Sequence, residues 1–215
     1  LGVAQADFPP EQSRNAFRIL CSHWSDYRGT PVKFWLESEL ADIFGIDLAP
    51  SADTADQIYD SIAAALVTPA FKPRALFERF RISFLATTDD PCDNLEHHAK
   101  LAADASWHGT VVPTFKVDVV DTLGAVSGIA TDTYAGWVAA MEDRRAFFKA
   151  HGAVSTDHSH RDVRAERLPD AEAERLYGLA RAASITVDQA DALRRHLVFE
   201  QARMAADDGL VMTIH

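Results

Sequence analysis

The sequence predicts an α/β fold in which parallel strands alternate with helices, as in part of a barrel. Four apolar runs of strand length, at 82–88, 110–115, 153–156 and 210–215, each end in hydroxyl, acidic or basic residues. Each run follows an amphipathic helical stretch, and the connections between the runs are long enough to hold a helix. Because parallel strands require such crossovers, we expect the four strands to pair in parallel.

The predicted strands are nearly continuously apolar, which is typical of strands buried on both faces. The helices between them are predicted at 94–105, 134–151, 169–183 and 186–206. The last of these opens with a capping-box pattern from Thr186 to Gln189. A closed eight-stranded barrel of this kind needs about 250 residues, so the chain accounts for about half of one.

The residues before the first strand form a separate predicted region. We expect a helical region at 1–73 and a partial barrel at 74–215. In the helical region, one helix spans 34–44 and stops at Gly45. A second helix begins at a capping-box pattern at Thr54. It is expected to bury three apolar residues at helical spacing, Ile58, Ile62 and Leu66.

Composition and charge disfavour several classes of function. The net charge of −11 argues against nucleic acid or an anionic membrane as a partner, because both require a basic surface. No run of about 18 apolar residues is present, so no transmembrane helix is expected. The start lacks a signal-peptide pattern, and neither cysteine belongs to a CxxC motif, which together indicate a cytoplasmic location. Gly-rich phosphate loops, Walker sequences and GxSxG elbows do not occur.

Candidate functional residues lie at the carboxyl ends of the predicted strands, where parallel α/β folds bind their ligands. His215 is carried on a strand, which suits a general base or a metal ligand, unless it is a rim histidine bonded to a loop. Lys116 offers a charge for a substrate carboxylate or phosphate, unless it is simply solvated. Asp157 and His158 can orient a hydroxyl or form an acid/base pair, or can cap the next helix. The other rim residues are Thr87, Thr88, Asp89, Thr114 and Thr156.

Two histidine patterns resemble metal motifs. In Glu96-His97-His98, adjacent helical residues point about 100° apart, so the two rings do not easily address one ion. His158-Ser159-His160 has the spacing that binds zinc at a strand end, but no further ligand is identifiable. We therefore assign no metal ligand within the chain.

Several segments together resemble the uronate isomerase family, also called glucuronate isomerases, of the amidohydrolase superfamily. The resemblance extends over nearly the whole chain and is carried by Tyr27-Arg-Gly-Thr-Pro31, Phe34-Trp-Leu36, Phe44-Gly45, Arg74-Ala-Leu-Phe-Glu-Arg-Phe80, Ala86-Thr-Thr-Asp-Asp90, Leu95-Glu-His-His98, Arg145-Ala-Phe-Phe-Lys149, Ser155-Thr-Asp-His158, Ala202-Arg-Met204, Asp207-Asp-Gly-Leu210 and Ile214-His215. It implies a TIM-type (β/α)8 barrel, represented here by strands 2–5 and a helical insertion before strand 2. It also implies isomerisation of D-glucuronate to D-fructuronate and of D-galacturonate to D-tagaturonate, by proton transfer between C2 and C1.

The resemblance also implies roles for particular residues. His215 matches the histidine that ends the fifth barrel strand at the substrate. Lys116 stands where the family usually has the arginine of an Arg-Pro-Asp segment, so a point charge replaces a bidentate fork. Combined with position on the strands, this predicts His215, Asp157 and His158 as catalytic and Lys116, Thr88 and Asp89 as substrate-binding residues.

The family pattern extends beyond both ends of this chain. Its metal-binding HxH is expected before Leu1 and its eighth-strand aspartate after His215, so zinc or another divalent metal would be held by ligands outside the chain. We therefore expect residues 1–215 alone to lack the complete site, and we expect the parent to be a homo-oligomer. The alternatives are a metal-dependent hydrolase of the same superfamily, which often has a lysine or metal histidine at strand four, and a non-catalytic truncated barrel.

Overall fold

The chain divides into two units, residues 1–82 and 83–215, each with its own internal packing. The structure, a computed structural model, describes residues 12–116, 122–159 and 162–214. Across these described ranges, no helix combines the length and the apolar character needed to span a membrane.

The first unit is helical throughout its described residues, and it extends to residue 82, past the boundary predicted at 73. Its helices are α1 (Ser13–Ser22), α2 (Pro31–Ser38), α3 (Ala55–Leu66) and α4 (Pro73–Arg79), with short 3-10 turns at Trp24–Tyr27 and Pro69–Phe71. The helix predicted at 34–44 begins earlier, because Thr30 accepts a bond from the Lys33 N–H and Pro31 occupies the first helical position. It continues as a π-turn over Glu39–Ile43, and Gly45, at φ 67°, follows its end.

The core of the first unit contains Leu40, Ile46 and Ile58, with Ile62 packed against them. The expected burial of Leu66 is wrong: it is 54% exposed, because it ends α3 beyond the edge of this small core. The capping box predicted at Thr54 is also absent. Thr54 has helical dihedral angles, and its hydroxyl donates to the Ala49 carbonyl at 2.8 Å, so it stabilises the preceding turn instead.

Within its described residues, the second unit contains five short strands, and every pairing among them is parallel. They are β1 (Phe84–Ala86), β2 (Thr110–Val112), β3 (Phe115–Lys116), β4 (Ser155–His158) and β5 (Val211–Ile214). β1 pairs with β2, and β4 lies between β3 and β5. The predicted α/β class and the parallel pairing are thus confirmed.

The predicted strand at 110–115 is interrupted. Pro113 lacks the N–H that a ladder needs, so the chain forms β2 and β3 on either side of it. The extension of β1 spans the interruption, since the Asp89 N–H donates to Thr114 and the Asp89 carbonyl accepts from the Lys116 N–H, both at 3.0 Å. Four successive chain segments therefore lie side by side in chain order.

Helices connect these segments: α5 (Glu96–Ala102), α6 (Leu123–Ser127), α7 (Tyr134–Ala150), α8 (Asp170–Arg181) and α9 (Val187–Asp208). The Thr186–Gln189 capping box is confirmed, with both of its hydrogen bonds present. Phe115 of β3 meets Phe148 of α7 edge to face, with ring centroids 5.0 Å apart. These rings belong to a core that includes Leu95, Met141 and Met204, so helices cover this face of the strands.

Candidate active site

The strand register separates the polar side chains into two sets that face opposite ways. Paired residues on neighbouring parallel strands share a face, and successive residues alternate. Phe115 contacts α7, so its partners Thr156 and Met212 lie on the helix-covered face. The next row, Lys116, Asp157 and Thr213, lies on the opposite face. The row two residues earlier, Thr114, Ser155 and Val211, lies on the same side. We call this side of the strands the open face.

The open face presents hydroxyls and two opposite charges near the strand ends. The Thr213 hydroxyl donates to the Thr156 carbonyl at 2.7 Å and lies 3.3 Å from Asp157 Oδ1. The Thr114 and Ser155 hydroxyl oxygens are 3.5 Å apart. Lys116 is half-buried beside Asp157 in the register. A sugar acid is a chemical match for this face, because a cation can pair with its carboxylate while a carboxylate and hydroxyls bond its hydroxyls.

Thr88 lies on the open face, whereas Asp89 lies on the helix-covered face. The β1–β2 register, continued past Val112, puts the exposed Thr88 in the row of Thr114. Asp89 forms a bridge with Phe115 and so belongs to the helix-covered face. Its Oδ2 accepts from the Thr87 hydroxyl at 2.7 Å and from the Thr114 N–H at 3.3 Å. The Asp89 carboxylate therefore joins strand ends to each other.

The structure does not bring Asp157 and His158 together. As neighbours on β4 they point to opposite faces. His158 is 3% exposed, and its Nε2 lies 2.9 Å from the Thr156 hydroxyl on the helix-covered face. A joint acid/base role for the two stays a prediction, and it requires them to reach the substrate from different faces of β4. The individual role of each stays a prediction, and His215 lies outside the described residues.

Two consecutive arginines on α7 support the strand ends, and the sequence predicted no role for either of them. Arg144 donates to the carbonyls of Pro91 and Asp93, each at 2.8 Å, and so fixes the loop after β1. Arg145 is 1% exposed and binds the Asp208 carboxylate through Nε at 2.6 Å and through a terminal nitrogen at 3.1 Å. Burial raises the pKa of Asp208, but its hydrogen bonds from Arg145 and the Leu210 N–H outweigh burial and lower that pKa overall.

A buried histidine joins three segments behind the core. The Leu168 N–H donates to His196 Nδ1 at 3.1 Å, so Nε2 carries the hydrogen and donates to the Tyr134 oxygen 2.8 Å away. Burial lowers the pKa of His196 and raises the pKa of Tyr134, since both charged forms lose hydration. Neutral His196 thus connects α9, α7 and the segment before α8.

The described residues do not fit a resident metal ion. No group of three His, Cys, Asp or Glu side chains in the ranges that the structure covers could hold one. In Glu96-His97-His98, the His97 side chain is 86% exposed and the His98 side chain 11% exposed, so the two rings do not meet. His160 of the other histidine pattern lies outside the described residues.

Parallel strands with charged and hydroxyl groups at their carboxyl ends define an α/β protein whose candidate ligand site lies at the strand ends. Residues 10–215 match the family described as glucuronate isomerase, and the chain belongs to that family. The family is part of the amidohydrolase superfamily. The resemblance seen in the sequence motifs is therefore confirmed.

Individual relatives agree with this assignment. The uronate isomerase of Cutibacterium acnes is 47% identical over 227 residues, which cover 100% of this chain and 48% of the relative. That of Rhizorhabdus wittichii is 43% identical, over 96% of this chain and 47% of the relative. The chain spans about half the length of the curated relatives it matches.

Solved structures give the same result for the fold. The crystal structure of glucuronate isomerase from Caulobacter crescentus matches 100% of this chain and 49% of its own, with a TM-score of 0.85 and 35% identity. The uronate isomerase from Thermotoga maritima matches with a TM-score of 0.82 at 24% identity, which shows the fold alone.

Proposed function

We propose that this chain is part of a uronate isomerase that interconverts D-glucuronate with D-fructuronate and D-galacturonate with D-tagaturonate. The observation that carries the proposal is the open face, where Lys116 and Asp157 pair in register next to the hydroxyl of Thr213. Family membership supports the same activity. The proposed substrate is a small sugar acid. The net charge of −11 argues against nucleic acid or a membrane as a partner.

In the proposed reaction, a base removes the proton from C2 of the open-chain aldose. The electron pair forms a C1–C2 double bond while O1 gains a proton, which gives an enediol. O2 then loses its proton, the C2 carbonyl forms, and C1 takes up a proton to give the ketose. We assign the base to His215, the contact with the sugar carboxylate to Lys116, and a hydrogen bond with a sugar hydroxyl to Asp157.

We further propose that the strands are strands 2–5 of a TIM-type (β/α)8 barrel whose interior is the open face. The chain order of the four parallel segments and the helices on one face support this arrangement. The parent protein is proposed to be cytoplasmic and homo-oligomeric. Both cysteines are unpaired, which supports a reducing compartment. We assign any divalent metal, zinc or another, to ligands outside the described residues.

The test is an isomerase assay of the full-length protein with D-glucuronate and D-galacturonate, read by NMR of the sugar carbons. We expect conversion of at least one uronate to its ketose and incorporation of solvent deuterium at C1 during turnover in D2O. D-Glucose, which lacks the carboxylate, is the matched control and should not react. Hydrolysis of sugar lactones or esters without isomerisation would favour the hydrolase alternative, and no turnover of either kind would favour a non-catalytic protein.

A further inference from the structure

A chain of hydrogen bonds joins α5 to the strand ends that carry Thr88 and Lys116. His98 of α5 places Nε2 at 2.8 Å from the Thr87 hydroxyl oxygen. The same hydroxyl lies 2.7 Å from Asp89 Oδ2. The side chains of His98 and Asp89 are only 11% and 14% exposed, so little solvent competes for these bonds.

The direction of these bonds follows from the proton count. The Thr87 hydroxyl has one hydrogen and two acceptors in reach, the Asp89 carboxylate at 2.7 Å and the Val112 carbonyl at 3.2 Å, and the nearer, charged acceptor forms the stronger bond. Thr87 must then accept its bond from His98, so His98 Nε2 carries a hydrogen. The connection therefore runs from the His98 N–H through the Thr87 hydroxyl to the Asp89 carboxylate.

Asp89 in turn bonds the backbone that follows the interruption at Pro113. In a regular parallel register the Thr114 N–H would bond the carbonyl of Thr87, but it donates to Asp89 Oδ2 at 3.3 Å. Two residues later, the Lys116 N–H donates to the Asp89 carbonyl at 3.0 Å. The carboxylate and the backbone of Asp89 thus hold both ends of the segment that presents Lys116 on the open face.

We propose that His98 is a positioning residue for the site at Lys116 that binds the substrate carboxylate, and that it acts through Thr87 and Asp89. This inference rests on the proposed function, because it takes Lys116 as the contact with the sugar acid. His98 itself does not touch the substrate, since it lies behind the strands on α5. Its loss should disorder Lys116 and weaken substrate binding more than it slows the chemical steps.

The test compares steady-state kinetics of full-length variants with D-glucuronate. His98→Leu removes the N–H donor and should raise KM about three- to tenfold, the range of one net hydrogen bond, with kcat changed less than about twofold. His98→Gln keeps an N–H at similar reach and should restore KM to near the parent value. His97→Leu is the matched control, because His97 is the neighbouring helical histidine with an 86% exposed side chain, and it should change neither constant.

Thr87→Val tests the middle of the chain of bonds. It should raise KM as His98→Leu does, and the double variant should show no further increase, because both changes break one connection. An unchanged KM for His98→Leu in an active enzyme, or no rescue by His98→Gln, would overturn the inference while leaving the proposed function intact. Absence of isomerase activity in the parent protein would instead refute the proposed function.

Discussion

Lys116 is the residue on which the proposed recognition of a sugar acid depends most directly. It shares a row with Asp157 and Thr213, and its backbone is held by Asp89. A lysine offers a point charge, whereas an arginine offers a planar fork that can bind both carboxylate oxygens. The side chain at this position should therefore control affinity for the substrate carboxylate.

We predict that Lys116→Met raises KM for D-glucuronate about 10- to 100-fold, the range expected when a charge-assisted hydrogen bond is lost. Lys116→Arg should keep KM within about threefold of the parent value, because the charge is retained. Lys100→Met is the matched control, since Lys100 is exposed on α5 and pairs with Glu96. Steady-state kinetics measure all three, and an equal rise in KM for Lys100→Met and Lys116→Met would contradict the prediction.

At the scale of elements, side chains of α7 contact the helix-covered face of the strands and the segments at both ends of the strands. Phe148 packs on Phe115, Arg144 holds the loop after β1, and Arg145 holds the end of α9 next to β5. Arg145 is almost completely buried, and its partner Asp208 is 22% exposed. A buried charge without its partner is costly, so this pair should matter more than exposed ion pairs.

We predict that Arg145→Met lowers the free energy of unfolding by about 3 kcal/mol, because the variant leaves the Asp208 carboxylate without its buried, hydrogen-bonded cation. Arg175→Met is the control: Arg175 and Glu172 form an exposed pair on α8, and its loss should cost less than about 1 kcal/mol. Urea unfolding midpoints at a constant slope measure both effects. Similar losses for the two variants would show that burial of Arg145 does not matter.

At the scale of the whole molecule, stability should depend on pH through His196. Its pKa is lowered in the folded state, chiefly by burial. The unfolded chain therefore binds a proton at a higher pH than the folded chain does, so stability falls as pH falls below about 6.5. Protonation would also break the bond from the Leu168 N–H to Nδ1. Glu200 and Asp170 oppose the effect of burial, and Arg167 adds to it.

We predict that the free energy of unfolding decreases between pH 7.5 and pH 5.5, and that His196→Gln removes part of this decrease. The contribution of one histidine cannot exceed about 1.4 kcal/mol per pH unit. Urea unfolding at the two pH values, for the parent and the variant, gives the comparison. The same decrease in both proteins would exclude His196 as the titrating group.

The exposed apolar residues of the strands lead to a second prediction at this scale. Phe84 and Leu85 of β1 are 49% and 41% exposed, and Val211 and Ile214 of β5 are 64% and 46% exposed. In a closed barrel, neighbouring strands would cover these residues. Residues 1–215 expressed alone should therefore self-associate and bind a hydrophobic dye, and should lack isomerase activity. Light scattering after size-exclusion chromatography tests this, and a monodisperse monomer that binds no dye would contradict it.

Much of the fold follows from local patterns in the sequence. The alternation of helix and apolar strand determined the α/β class, and the capping box at Thr186 follows from a hydrogen-bond exchange between residues three apart. The same local rule failed at Thr54, where the nearby Ala49 carbonyl competed for the hydroxyl. The positions of Lys116 and Asp157 at the carboxyl ends of strands were also predictable from the local sequence, since each comes at the end of an apolar run.

The tertiary structure alone decided which side chains meet. The period of two along β4 separates Asp157 from His158, but only packing against α7 determines which of them faces the helices. His97 and His98 are identical neighbours in the sequence, yet one is exposed and the other bonds Thr87. Contacts between residues far apart in the chain depend on how the helices and strands pack, and no local pattern of residues encodes that packing. The sequence by itself therefore determined the class, the family and the end of the sheet that carries the site, while the network that holds Lys116 became visible only in the folded chain.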